Sequence, residues 1–354
     1  MKKASSVIAL FLTAVLILSA CQTKKTSENG KITKDPVKKE TVTEQKVPKA
    51  EEKEKDPEIE AFFDKYVNSK KRPIAVMIDN DNEQARPQAG LDDAYLIYEM
   101  VIEGGATRFM AFFKDAATEK IGPVRSSRHY FLDYALENDA IYTHFGWSPR
   151  AMTDIPALGV NNINGIIAGD DSIFWRERKF KGDWHSAFTS IEKINSMADK
   201  KKYQKETAHA NSINYSKEYL DMKTESVANT VSLAYSYHYT TGYTYDTETK
   251  LYEKTINGKP HTMQNGKTVK VKNIIVQFIT DTSLGDGSAR RNINTAGSGK
   301  GYYITDGCCK SITWSKDSRT ANTIYKDADG NTLSVNPGKT IINIISPSAK
   351  ITMK

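Results

Sequence analysis

Three arginines and two serines stand where they can do chemistry: Arg108, then Arg125-Ser126-Ser127-Arg128. Arg108 opens a strand-like run, Thr107–Lys114, and Arg125 ends a second one, Ile121–Arg125. The spacing predicts a helix over Ser127–Glu137, with Tyr130, Phe131, Tyr134 and Ala135 on one face. A strand feeding a helix N-terminus presents unpaired backbone N–H groups and the positive end of the helix dipole, which together favour an anion. Two guanidinium groups beside such a terminus form a fork suited to phosphate or carboxylate. The competing reading has Arg125 and Arg128 pairing with Glu99, Glu103 or Asp133 and fixing the turn.

Glu99 and Glu103 are four residues apart, ahead of Gly104-Gly105, and share a face on a helix or a strand. Paired carboxylates can do acid–base work or hold a metal; otherwise they line a solvated edge or neutralise arginines. His144 is a third acid–base candidate, close to Trp147 and Ser148. The segment Gly146–Arg150 starts like a nucleophile elbow, but Arg150 replaces the final glycine, so Ser148 reads as a helix N-cap before Pro149. The histidines show no i, i+4 pair and no structural-zinc spacing, so no metal site is expected. Gly297-Ser298-Gly299-Lys300-Gly301 lacks the first glycine and the last Ser or Thr of a P-loop; it reads as a turn, and no cofactor is expected. Tyr235, Tyr237 and Tyr239 alternate as one aromatic face of a strand, and adjacent Cys308 and Cys309 read as packing residues.

The elements that must position these groups fall into four segments. Lys2 and Lys3 precede an apolar run, Val7–Leu18, that is short for a spanning helix and ends in Leu18-Ser19-Ala20-Cys21. Residues 1–20 read as a signal peptide. The small residues before Cys21 resemble the lipobox of bacterial lipoproteins, which implies a diacylglycerol on Cys21 and anchoring to the extracytoplasmic face of the cell membrane. Residues 21–57 read as the lipidated cysteine and a disordered tether, since Lys, Glu, Thr and Gln dominate and little apolar surface is available. Residues 58–222 read as an α/β domain with a mixed sheet and flanking helices. Its helices are expected over Glu58–Asn68, after Ser148, and after Ser186 with Phe188, Ile191, Ile194 and Met197 in one stripe. Residues 223–354 read as a mostly antiparallel β domain punctuated by Asn257-Gly258, Asn265-Gly266, Asp306-Gly307 and Asp329-Gly330. The fold class is thus α+β, mixed. Of the net charge of +7, residues 58–354 carry about +3, so no nucleic-acid partner is expected.

The ordered set Tyr98-Glu99, Glu103-Gly104-Gly105, Thr107-Arg108-Phe109, Gly122–Arg128 and His144–Pro149 continues into Ile312-Thr313-Trp314, Asp327–Gly330 and Asn336–Thr340. Over roughly residues 70–347 it resembles the YerB-like family of bacterial lipoproteins. The resemblance implies a two-domain extracytoplasmic lipoprotein and supplies no settled activity. Residues 106–130 are also similar to the LytR–CpsA–Psr phosphotransferase core, which sets an Arg beside a polyprenyl diphosphate. His129 follows Arg128 where that core carries aspartate, so no catalytic residue is carried over.

Two function classes remain. One is a binding or scaffold module of the cell envelope that holds a protein partner or a small ligand; the lack of a strong catalytic signature favours it. The other is a transferase or hydrolase that acts on a phosphorylated, lipid-linked envelope polymer through Arg108, Arg125 and Arg128.

Overall fold

The computed structural model describes residues 56–354. The expected signal peptide, Cys21 and nearly all of the expected tether lie outside the described residues. The first half supplies strands β1 (Ile74–Asn80), β2 (Leu96–Val101), β3 (Thr107–Phe113), β4 (Ile141–His144) and β5 (Asn162–Asn164). Its helices are α1 (Pro57–Phe62), α2 (His129–Glu137), α3 (Pro149–Ala157) and α4 (Ile191–Lys200). The second half supplies β6 (Thr230–Ala234), β7 (Thr240–Asp246), β8 (Leu251–Ile256), β9 (Asn273–Phe278), β10 (Gly297–Thr305), β11 (Cys308–Lys316), β12 (Ile324–Lys326), β13 (Thr340–Ile345) and β14 (Ile351–Met353). The fold is mixed α+β, with helices confined to the first half, as the residue pattern implies.

The two halves share one sheet. Its order is β12-β11-β10-β9-β13-β2-β3-β1-β4-β5, and the short strand Ser226–Val227 pairs with β11 as its eleventh member. β13, from the far end of the chain, lies between β9 and β2 and pairs parallel with both. β1, β2, β4, β5, β9 and β13 therefore point the same way, with β3 reversed between β2 and β1 and β10 reversed on the outer side of β9. Both faces of the central strands are covered, which is why β1, β2 and β3 read as nearly unbroken apolar runs. On one face Met77, Tyr98, Met110, Phe112 and Ile342 pack with Tyr130, Phe131 and Tyr134 of α2. On the other, Ile78, Ile97, Phe109 and Ile341 pack with Ile194 of α4 and with Val231, Leu233 and Tyr243 of a second, antiparallel sheet built on β14-β6-β7-β8.

Local signals explain the ends of these elements. Asp56 accepts from the Glu58 and Ile59 amides and starts α1, which runs on as a wider turn through Val67. Ser148 Oγ accepts from Ala151 N at 3.3 Å, with Pro149 at the first helical position. Asp306-Gly307 closes the two-residue β10–β11 hairpin with both φ values positive.

Four expectations are corrected. Ile121–Arg125 is not a strand hairpinned to β3: isolated bridges join Ile78 to Val124 and Ile121 to Thr189, so the segment docks beside β1. The helix expected after Ser186 starts at Ile191 and is capped by Ser190, because Ala187–Phe188 pairs with Trp175–Arg176 as a short strand. Gly297–Gly301 is the start of β10 and not a turn; a Cβ at Gly301 would lie 2.3 Å from the Val276 carbonyl oxygen, so the strands approach too closely for a side chain. Tyr235, Tyr237 and Tyr239 do not share a face: they sit where β6 turns into β7, Tyr237 is 97% exposed and Tyr239 is buried.

Candidate functional site

The site grows from the carboxyl end of β1, the edge where parallel strands commonly receive ligands. Side chains alternate along β1, so Asp79 shares a face with Met77 and Asn80 turns to the face of Ile78. Arg108 is the register partner of Asp79 in the antiparallel β1–β3 ladder. On the opposite side of β1, Asp79 N donates to Pro123 O at 2.8 Å and Arg125 N donates to Met77 O at 3.0 Å. Arg108 and Arg125 therefore flank one carboxylate from two sides.

Asp79 is fully buried. Its Oδ2 lies 2.9 Å from Arg125 Nε and 2.6 Å from His185 Nδ1. Burial works to raise the Asp79 pKa, but the His185 hydrogen bond and the charges of Arg108 and Arg125 outweigh it and hold the carboxyl below its usual value. Arg108 Nη1 donates to Ser126 O at 2.8 Å, and its buried Nε has no hydrogen-bond partner among the described residues. Burial first, and then the Arg128 charge, push the Arg108 guanidinium down to about 10, even though Asp79 acts in the opposite direction. Arg125 is half-buried, and its terminal nitrogens donate to no described residue.

Arg128 is committed elsewhere. It grips Glu103 with two parallel bonds, Nε to Oε1 at 2.6 Å and Nη2 to Oε2 at 2.8 Å. Partial burial would raise the Glu103 pKa, but the Arg128 pair wins and lowers it. Ser126 and Ser127 build the turn: Ser126 Oγ donates to Phe145 O at 3.0 Å, and Ser127 Oγ accepts from Tyr142 OH at 2.9 Å. Gly146 faces this turn at φ +86°, and a Cβ there would stand 2.9 Å from Ser126 Oγ. Arg176 stacks over the Phe145 ring at 4.3 Å and lies close enough to Arg125 to feel its charge. Four arginines thus gather around two carboxylates, Asp79 and Glu103.

The other candidates lie apart. Glu99 faces the opposite side of the sheet from Arg108 and sits 3.3 Å from the buried ammonium of Lys254. It also accepts from Thr107 Oγ1 at 2.9 Å and Tyr239 OH at 2.5 Å. Glu99 and Glu103 therefore do not form a pair. His144 is buried, donates from Nδ1 to Gly146 O at 2.7 Å, and accepts at Nε2 from Asn162 Nδ2 at 3.1 Å. Burial lowers its pKa to about 4, so it is neutral and has both nitrogens engaged.

Sequence reasoning did not single out Asp79 or His185 as site residues. Asp79 had a signal, since an apolar strand that ends in Asp-Asn presents a polar pair at its carboxyl end. His185 stands on a loop more than a hundred residues away and had none.

Residues 64–204 match the description "Protein of unknown function (DUF3048) N-terminal domain", and residues 231–342 match the corresponding C-terminal domain. The chain is 31% identical to the "Putative lipoprotein YerB" of Bacillus subtilis (strain 168), across 98% of this chain and 96% of that protein. A crystal structure of the YerB protein from Bacillus subtilis superimposes with a TM-score of 0.70 at 30% identity, covering 80% of this chain and 94% of that one. The match across both halves shows that the chain belongs to the DUF3048 family.

Proposed function

We propose that this protein is a lipoprotein held at the extracytoplasmic face of the cell membrane through Cys21, and that its folded region is a binding module for a phosphorylated ligand of the envelope. The anchor rests on the Leu18-Ser19-Ala20-Cys21 sequence and on similarity to a relative that is itself named as a lipoprotein. The binding role rests on one observation: the Arg125 guanidinium lies against the Asp79 carboxylate, the Arg108 guanidinium stands close enough to lower the pKa of the same group, and a donor on each arginine has no described hydrogen-bond partner. A phosphate oxygen would satisfy those donors, and each charge-assisted bond contributes roughly 1.5–3 kcal/mol.

The test is calorimetric titration of the full chain, in detergent micelles, with inorganic phosphate and with a short-chain polyprenyl phosphate. The wild type is expected to bind at least one of them, and Arg125→Ala to weaken that binding about tenfold or more. Arg125→Ala takes an ion-pair partner from the buried Asp79, so the melting temperature should fall, and binding is compared below the melting transition of the variant. A wild-type chain that takes up neither anion sinks the proposal.

A further inference from the structure

We propose that His185 and Asp79 form a proton-transfer dyad acting on the anion held by Arg125 and Arg108, and that the site hydrolyses phosphate esters. This step rests on the anion-binding reading above and goes beyond it, from holding a phosphoryl group to reacting with it.

The geometry begins with one oxygen. Asp79 Oδ2 accepts from His185 Nδ1, at 2.6 Å, and lies 2.9 Å from Arg125 Nε as an ion pair. The imidazole and the guanidinium are therefore immediate neighbours, and a phosphate on the unpartnered Arg125 nitrogens lies beside the imidazole ring. A carboxylate that accepts from Nδ1–H fixes the tautomer and leaves the lone pair on Nε2. The nearest polar contact of Nε2 is Asn82 Nδ2 at 3.4 Å, the long limit of a hydrogen bond, and Asn82 is exposed. Nε2 is thus engaged only by a long contact to an exposed side chain at the rim of the fold.

The loop that carries His185 is held in place. Asp183 Oδ1 accepts from His185 N at 2.8 Å, and Asp183 Oδ2 accepts from Lys179 N at 3.0 Å. His144 makes a contrast of degree, because its Nε2 contact, to Asn162 Nδ2, is shorter, at 3.1 Å, and to a less exposed residue.

The reaction balances with water alone. His185 Nε2 takes a proton from water as the water oxygen forms a bond to phosphorus. The ester P–O bond breaks and its electron pair goes to the leaving oxygen, which receives the proton back from Nε2. Arg125 and Arg108 take the charge that develops on the non-bridging oxygens.

The test uses para-nitrophenyl phosphate as mono- and diester, with the full chain in detergent micelles and phosphate binding measured in parallel. The wild type is expected to release nitrophenol from at least one ester. His185→Asn should lower kcat at least about 100-fold while the phosphate Kd changes less than about threefold. His185→Gln is the second variant, should the first fail to fold. A wild type that binds phosphate but releases nothing overturns this inference and leaves the binding reading standing. A wild type that binds no phosphate removes both. Wild-type turnover in either variant, or loss of the melting transition in both, assigns His185 to the fold and overturns the dyad.

Discussion

Asp79 and Arg108 are partners across the β1–β3 ladder, yet they form no ion pair: the Arg108 guanidinium donates to the Ser126 carbonyl oxygen instead. Asp79 spends its Oδ2 on Arg125 and His185. One carboxylate thus sits among three nitrogenous groups and cannot neutralise them all. The proposed anion site at the turn after residue 125 rests on this excess.

Asp79→Asn tests that balance directly. Removing the carboxylate charge removes a competitor for the same guanidinium groups, so phosphate affinity should tighten about tenfold, a gain of roughly 1.4 kcal/mol. Turnover of nitrophenyl esters should fall in the same variant, because Asn no longer holds the Nδ1–H tautomer of His185. Calorimetry and rate measurement on one preparation separate the two effects. Weaker phosphate binding would place the anion away from Asp79.

Cys21→Ala tests the anchor. A diacylglycerol supplies two acyl chains, enough for stable attachment, whereas a cleaved chain without the modification has none. Fractionation should move the variant from the membrane to the soluble or secreted fraction, and metabolic labelling with a fatty acid should mark only the wild type. An unlabelled wild type that stays with the membrane would mean that the segment before Cys21 remains as an anchor.

His144 gives a pH dependence whose sign is fixed. Its folded pKa of about 4 lies below the unfolded value of about 6.5, so the folded state resists protonation. The stabilisation is fully present above pH 6.5 and is lost as the pH falls towards 4. Between pH 7 and pH 5 this single group should cost about 2 kcal/mol. Urea denaturation at the two pH values measures it. His144→Asn retains a donor for the Gly146 carbonyl but does not titrate, so the stability gap between wild type and variant should narrow at pH 5.

Much of this architecture was legible. Apolar runs covered on both faces marked β1, β2 and β3, and the Asp306-Gly307 pair marked its hairpin, because these signals are local. The Ser148-Pro149 cap was legible for the same reason. What escaped was set by distant contacts. Ile121–Arg125 has strand-like residues, but its partner is β1, so Arg125 reaches Asp79 from the side opposite Arg108. β13 sits in the middle of the sheet although it lies near the end of the chain, and no spacing announces that. Glu99 and Glu103 looked like a pair four residues apart; the turn at Glu103–Gly105 ends the strand between them, and each finds its own cation.

Those separate cations give the last prediction. Glu99 and Lys254 are both completely buried, 3.3 Å apart, between the shared sheet and the second sheet. Thr241 takes a further bond from the ammonium, which also lies 5.2 Å from the Phe109 ring centre. Burial lowers the Lys254 pKa, and the Glu99 charge opposes that shift. Lys254→Met leaves a carboxylate buried without its cation and should cost about 3–5 kcal/mol. Glu99→Gln leaves the ammonium alone and should also be strongly destabilising. The double variant removes both charges and should recover most of the loss, because the penalty belongs to the unpaired ion and not to the absence of the pair. Urea denaturation of the three variants reads the coupling. Phosphate binding, on the other face of the sheet, should be unchanged in the double variant. Single variants within about 0.5 kcal/mol of wild type would show that water reaches this pair and that it does not join the two halves.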